Sequence, residues 1–160
     1  MVIIFTGVSG AGKTTVGKLM AQDLGWRFYE GDDYHPAGNI EKMTRGVALT
    51  DEDRRAWLET LRDLIATVLA RGDNGVVACS ALKESYRAML RSAGGVVFVH
   101  LKVNRRLVGE RLQNRQGHFM NPGLIDSQFA TLEEPQTAIT MDAALPPAEI
   151  VRQVRRALSV

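Results

Sequence analysis

Eight residues near the start of the chain, Gly7-Val8-Ser9-Gly10-Ala11-Gly12-Lys13-Thr14, have the types and spacing needed to hold phosphate. Successive backbone N–H groups must turn inward to wrap an anion, and glycines permit both the dihedrals and the close approach. A helix that opens at the end of the segment adds unpaired amides and the positive end of its dipole. In this pattern Lys13 bridges the β- and γ-phosphates of a nucleoside triphosphate, and the hydroxyl of Thr14 ligates magnesium. The segment reads as a P-loop. Its nucleotide-binding set is Gly7, Ser9, Gly10, Ala11, Gly12, Lys13, Thr14 and Thr15.

A second cluster, Glu30, Asp32, Asp33 and His35, holds three carboxylates and an imidazole within six residues. Asp32 is placed to accept the proton of an attacking hydroxyl, the role a phosphoryl-transfer enzyme assigns to such a group. Arg111 and Arg115 lie four apart at the end of a helix, just before Gln116-Gly117-His118. Both can face the nucleotide from that helix end. One suits the adenine or the α-phosphate, and the other suits the transferring phosphoryl group. The competing reading makes them solvated cations, which a helix C-terminus favours in any case.

The elements that must position these groups follow from hydrophobic period and punctuation. Val2 to Phe5 is apolar on both faces, as in a buried parallel strand, and runs straight into the glycine loop. A helix follows from Lys13 to Leu24, ended by Gly25. Trp26 to Tyr29 is a second strand, and a short helix is expected around Ile40 to Met43. Thr50 caps a long helix through the amide of Asp53, Trp57, Leu61, Leu64, Ile65 and Val68 form its apolar stripe with Trp57 read as core, and Gly72 stops it. Gly75 to Cys79 is a third strand, Leu82 to Arg91 a helix, Val96 to Leu101 a fourth strand, and Asn104 to Arg115 a helix. Leu124 to Leu132 is helical, Ala138 to Met141 is a weak fifth strand, and Pro146-Pro147 opens the last helix. Strand and helix alternate throughout. The chain therefore reads as one α/β domain over residues 1–160, a three-layer sandwich with a five-stranded parallel sheet and right-handed crossovers. Ligands of such sheets bind beyond the carboxyl ends of the strands.

Other functions fit poorly. There is no guanine-reading N-K-x-D as in signalling GTPases, and the strand Val76-Val77-Ala78-Cys79 ends in Ser80 rather than the acid of motor and transporter ATPases. The net charge is +2, with acids and bases interleaved, which does not suit nucleic acid. Arg152, Arg155 and Arg156 read as one solvated helix face. The lone Cys79 reads as a buried thiol. Val2 to Phe5 is too short for a signal peptide or a membrane span, so a cytoplasmic protein is expected. What remains is a small kinase, with a mobile lid at about 115–124 and an acceptor-binding segment at about 32–57.

Several blocks resemble the gluconokinase family of small P-loop kinases, related in fold to shikimate and adenylate kinases. They are Gly31-Asp32-Asp33-Tyr34-His35-Pro36, Asn39-Ile40-Glu41-Lys42-Met43, Leu49-Thr50-Asp51-Glu52-Asp53-Arg54-Arg55-Ala56-Trp57-Leu58, Cys79-Ser80-Ala81-Leu82-Lys83-Glu84-Ser85-Tyr86-Arg87, Arg115-Gln116-Gly117-His118-Phe119 and Gln128-Phe129-Ala130-Thr131-Leu132-Glu133-Glu134-Pro135. The resemblance implies ATP-dependent phosphorylation of D-gluconate at its 6-hydroxyl, with magnesium, and a homodimer by family habit. It implies that Asp32 contacts the reacting hydroxyl and Arg54 the substrate carboxylate, with Lys13 and Arg115 stabilising the transferring group. Gluconate needs cations and hydrogen-bonding side chains. The matched blocks offer Arg54, Lys42, Lys83 and Arg87 for the first, and Asp32, His35, Ser80, His118 and Gln128 for the second. Glu30 stands where an Asp is common in this fold group, which leaves a role in orienting magnesium open. Asp33 is a further ligand, a substitute for Glu30, or simply exposed. A kinase for another small hydroxy acid, such as shikimate, is the alternative, with a nucleotide-dependent switch behind it.

Overall fold

The computed structural model describes residues 1–114 and 123–160. Five strands form one sheet in the order β2-β3-β1-β4-β5, all parallel. They are β1 (Val2–Thr6), β2 (Arg27–Glu30), β3 (Gly75–Ala78), β4 (Val96–Lys102) and β5 (Ile139–Asp142). β1 is central and buried along its whole length, as its unbroken apolar run requires. Alternate residues face opposite layers. Ile3 and Phe5 pack with Val16 and Met20 of α1 (Lys13–Leu24) and Val151 and Val154 of α7 (Pro147–Leu158). Val2 and Ile4 pack with Leu61 and Ile65 of α3 (Asp51–Ala70) and Leu90 of α4 (Glu84–Arg91).

Register fixes what meets at the carboxyl edge. Phe5 of β1 and Glu30 of β2 both pair with Ala78 of β3. Gly7, Gly31 and Ser80 therefore leave the sheet as near neighbours, although they lie far apart in sequence. Gly7 N donates to Ser80 O at 3.3 Å, tying the first loop to the third.

Local chemistry explains most boundaries. Thr50 Oγ1 accepts from Asp53 N at 3.1 Å while Asp53 Oδ2 accepts from Thr50 N at 2.9 Å, so the expected cap of α3 is a reciprocal capping box. The short helix α2 (Ala37–Thr44) is longer than expected. Residues Gly31–Tyr34 form a single 3-10 turn that periodicity did not reveal. α4 starts at Glu84, two residues later than the sequence pattern suggests. There Ala81 adopts a positive φ of 37°, and the carbonyls of Ala81 and Leu82 bond to Arg87 Nη1 at 2.9 and 3.1 Å instead of joining a helix. α5 (Arg105–Gln113) is capped by Asn104 Oδ1, which accepts from Leu107 N at 2.9 Å, and α6 covers Leu124–Thr131. The expected lid falls mostly outside the described residues. Among those described, no helix is long and apolar enough to cross a membrane.

Candidate active site

Between β1 and α1 the loop has the shape its glycines allow. Gly7, Gly10 and Gly12 have φ of 137°, 81° and 98°, which side-chain-bearing residues rarely adopt. Gly12 hands the chain to α1, whose N-terminus carries no side-chain cap and leaves its first amides directed into the loop. Lys13 Nζ donates to Val8 O at 3.0 Å and so lies over the loop. The loop amide of Ser9 donates to Gln128 Oε1 at 2.6 Å, which brings α6 onto the phosphate cradle.

Thr14 Oγ1 donates to Glu30 Oε2 at 2.6 Å. The proton is spent on the carboxylate, so the oxygen lone pairs are left for a hard cation, as a magnesium ligand requires. Burial pushes the Glu30 carboxyl above its usual range, with Asp32 adding to the rise, while the Thr14 bond and Lys13 oppose it. The longer side chain in place of Asp thus still reaches Thr14. Asp33 is exposed and does not line the cleft.

One cleft is lined by Ser9 and Lys13 of the glycine loop together with Asp32, His35, Arg54, Ser80 and Gln128. Asp32 sits in the 3-10 turn directly after β2. That turn is held by Trp57 Nε1, which donates to Gly31 O at 2.8 Å. His35 stacks on Trp57 with ring centres 4.1 Å apart. Asn39 Nδ2 donates to Asp53 O at 2.7 Å and faces His35 Nδ1 at 3.3 Å. An amide NH2 can only donate, so His35 carries its proton on Nε2, which points toward Asp32 Oδ1 at 3.9 Å. Burial lowers the imidazole to about 4, against an opposing pull from Asp32, so it is neutral at physiological pH.

Three cations assigned by sequence to the substrate do not line the cleft. Lys42 is exposed and bonds both oxygens of Asp53 at 2.8 and 3.0 Å. Lys83 bonds both oxygens of Asp51 at 2.9 and 3.1 Å. Arg87 is 1% exposed and acts as a strut: it bonds the carbonyls of Ala81, Leu82 and Glu133 and the carboxylate of Glu84. Arg111 does meet the loop, with Nη1 bonding Gly10 O and Ala11 O at 3.1 and 3.2 Å and Nη2 bonding Ala143 O at 2.5 Å. With Asn114, Ala143, Leu145 and Pro147 it lines a second hollow that also takes in Gly12 and the exposed Thr15. Arg115 and His118 lie outside the described residues. Cys79 is fully buried beneath the cleft, its thiol pushed up to about 12 by burial, which excludes a thiolate nucleophile.

Sequence reasoning missed the apolar wall of the cleft: Met43, Leu49 and Leu124, which cluster together, and Trp57, which it placed in the core. Trp57 is both, 1% exposed yet lining the cleft. Its place on the α3 stripe was visible, but the indole bond to Gly31 O was not.

A family model for shikimate kinase matches residues 9–158. The gluconokinase of Gluconobacter oxydans (strain 621H) is 47% identical over 134 residues, covering 83% of this chain and 75% of that one. The thermosensitive gluconokinase of Escherichia coli (strain K12) is 41% identical over 160 residues, covering 97% and 86%. A crystal structure of a gluconokinase from Sinorhizobium meliloti 1021 superposes with a TM-score of 0.88 at 40% identity, covering 99% of this chain and 91% of that one.

Proposed function

The chain belongs to the gluconokinase family of small P-loop kinases, and from that premise we propose that it transfers the γ-phosphoryl group of ATP to the 6-hydroxyl of D-gluconate, giving 6-phospho-D-gluconate. The observation that carries this reading is one cleft lined by Lys13, Asp32 and Arg54 together. Such a cleft suits a donor phosphate facing an acceptor that has a hydroxyl at one end and a carboxylate at the other.

In this reading the loop amides and Lys13 hold the β- and γ-phosphates and stabilise the charge on the transferring group. Bound magnesium, held through Thr14, neutralises the phosphate oxygens. Glu30 fixes the Thr14 hydroxyl by accepting its proton. Asp32 orients the acceptor hydroxyl and takes its proton as the bond to phosphorus forms. The neutral His35, held by Asn39 and Trp57, turns an Nε2–H donor toward the same place. Arg54 binds the acceptor carboxylate, with Ser80 and Gln128 as further hydroxyl partners. Arg111 and its hollow take the adenosine side of ATP, and Arg115 and His118 complete the site from the lid. By family habit the protein works as a homodimer in the cytoplasm.

The test is a coupled assay for ADP formation with a panel of sugar acids and shikimate. Turnover with gluconate is expected. Turnover with another acid, and none with gluconate, would overturn the substrate assignment.

A further inference from the structure

Arg54 lines the cleft, and among the described residues no carboxylate lies within ion-pair distance of its guanidinium. The sequence offers one. Asp51 lies three residues earlier on α3, the spacing at which a carboxylate and a guanidinium meet across a helix turn. The next pair at that spacing, Glu52 and Arg55, does meet, at 3.4 Å.

Asp51 instead turns toward α4. It accepts from the Tyr86 hydroxyl and from Lys83 Nζ. Arg54 rests on neutral groups: Nη1 bonds Leu49 O at 2.5 Å and the Tyr86 hydroxyl oxygen at 3.4 Å, and its guanidinium carbon lies 5.6 Å from the Tyr86 ring centre. The single phenolic proton goes to the acid, which leaves a lone pair for the base. Tyr86 is 5% exposed and bonded to both partners. Its phenol titrates above its ordinary value, chiefly through burial and then through the bond to Asp51, and so remains a donor.

We propose that Tyr86 and Lys83 are positioning residues that hold Asp51 off Arg54, keeping the Arg54 charge available for the carboxylate of the acceptor. The inference rests on the reading that Arg54 takes that carboxylate. Without the phenolic hydroxyl, Asp51 relaxes onto Arg54 by the ordinary helix spacing and competes with the acceptor for the same donors.

The experiment is steady-state kinetics on Tyr86→Phe, Asp51→Asn and the double variant. Tyr86→Phe is expected to raise KM for gluconate about tenfold while kcat stays within about twofold. The double variant returns KM to within about threefold of the parent, because Asn carries no charge to occupy Arg54. An unchanged KM in Tyr86→Phe overturns the proposal. So does a double variant as impaired as the single, which is the pattern of lost packing. If Tyr86→Phe does not fold, Lys83→Met takes its place: it frees Asp51 in the same direction while the buried Tyr86 side chain is kept, and an unchanged KM there also overturns the idea. Arg54→Ala separates this proposal from the reading beneath it. If Arg54→Ala leaves KM for gluconate unaltered, the carboxylate assignment itself is wrong. If it raises KM while Tyr86→Phe does not, only the positioning role fails.

Discussion

Gly31 is the last residue before Asp32, and its lack of a side chain sets where that carboxylate sits. Its backbone angles suit any residue, so the constraint is space. A Cβ built on it would lie 2.3 Å from the carbonyl oxygen of Ala78 and 3.4 Å from Cα of Cys79. Cβ contacts essentially never fall below 3.0 Å, so Gly31→Ala must open the contact by at least about 0.7 Å. β3 cannot give way, because it is paired on both sides with β1 and β2 and Ala78 and Cys79 are fully buried. The 3-10 turn retreats instead, carrying Asp32 with it and stretching the bond from Trp57 Nε1 to Gly31 O. A misplacement near 1 Å in a reacting constellation costs on the order of a hundredfold, so kcat should fall roughly 30- to 100-fold. KM for ATP should hold, because the phosphate loop hangs from β1. Overpacking of this kind costs about 1–3 kcal/mol of stability, read by urea unfolding. The control is Gly38→Ala in α2, where an added Cβ meets nothing within 4 Å and the helix gains about 0.5–1 kcal/mol. A folded Gly31→Ala enzyme with kcat within about threefold of the parent would refute the claim that the turn's closeness to β3 sets the position of Asp32.

Two further outcomes follow from the same geometry. Glu30→Gln removes the charge that fixes the Thr14 hydroxyl while keeping its size, so half-saturation by free magnesium at saturating ATP should rise about 10- to 100-fold; an unchanged magnesium titration counts against the Thr14–Glu30 pairing as a support of the metal. His35 stays neutral in the fold down to about pH 4 but takes a proton near 6.5 once unfolded. The unfolded chain therefore binds more protons between those values, and stability falls as pH drops from about 6.5 to about 4. In His35→Gln this slope should shrink in unfolding midpoints measured across that range. It should not vanish, because His100 is shifted in the same direction by its own burial.

The sequence by itself determined the order of the strands and main helices and the glycine loop proposed to hold the donor. An apolar run, a glycine loop and a helix are contiguous from Val2 to Leu24, so their chemistry is local and spacing alone reveals it. The same holds for the cap at Thr50 and the carboxylate of Asp32 after β2. The acceptor half was only partly legible. Asp32, His35, Arg54, Ser80 and Gln128 were named as candidates and do line one cleft, but nothing in their order separated Arg54 from Lys42, Lys83 and Arg87. All four are cations on or beside helices, and charge type says nothing about which partners are near. Only tertiary contacts decided that Arg87 braces the carbonyls of Ala81, Leu82 and Glu133, that Lys83 and Tyr86 bond Asp51 where α4 meets α3, and that Arg54 lines the cleft. Pairing register did the same for Glu30. It ends β2 beside Ala78, one strand away from the loop that carries Thr14, and a side chain one carbon longer than Asp still closes the distance. Contacts between residues distant in sequence are set by how layers stack, and a pattern read along one chain does not contain them.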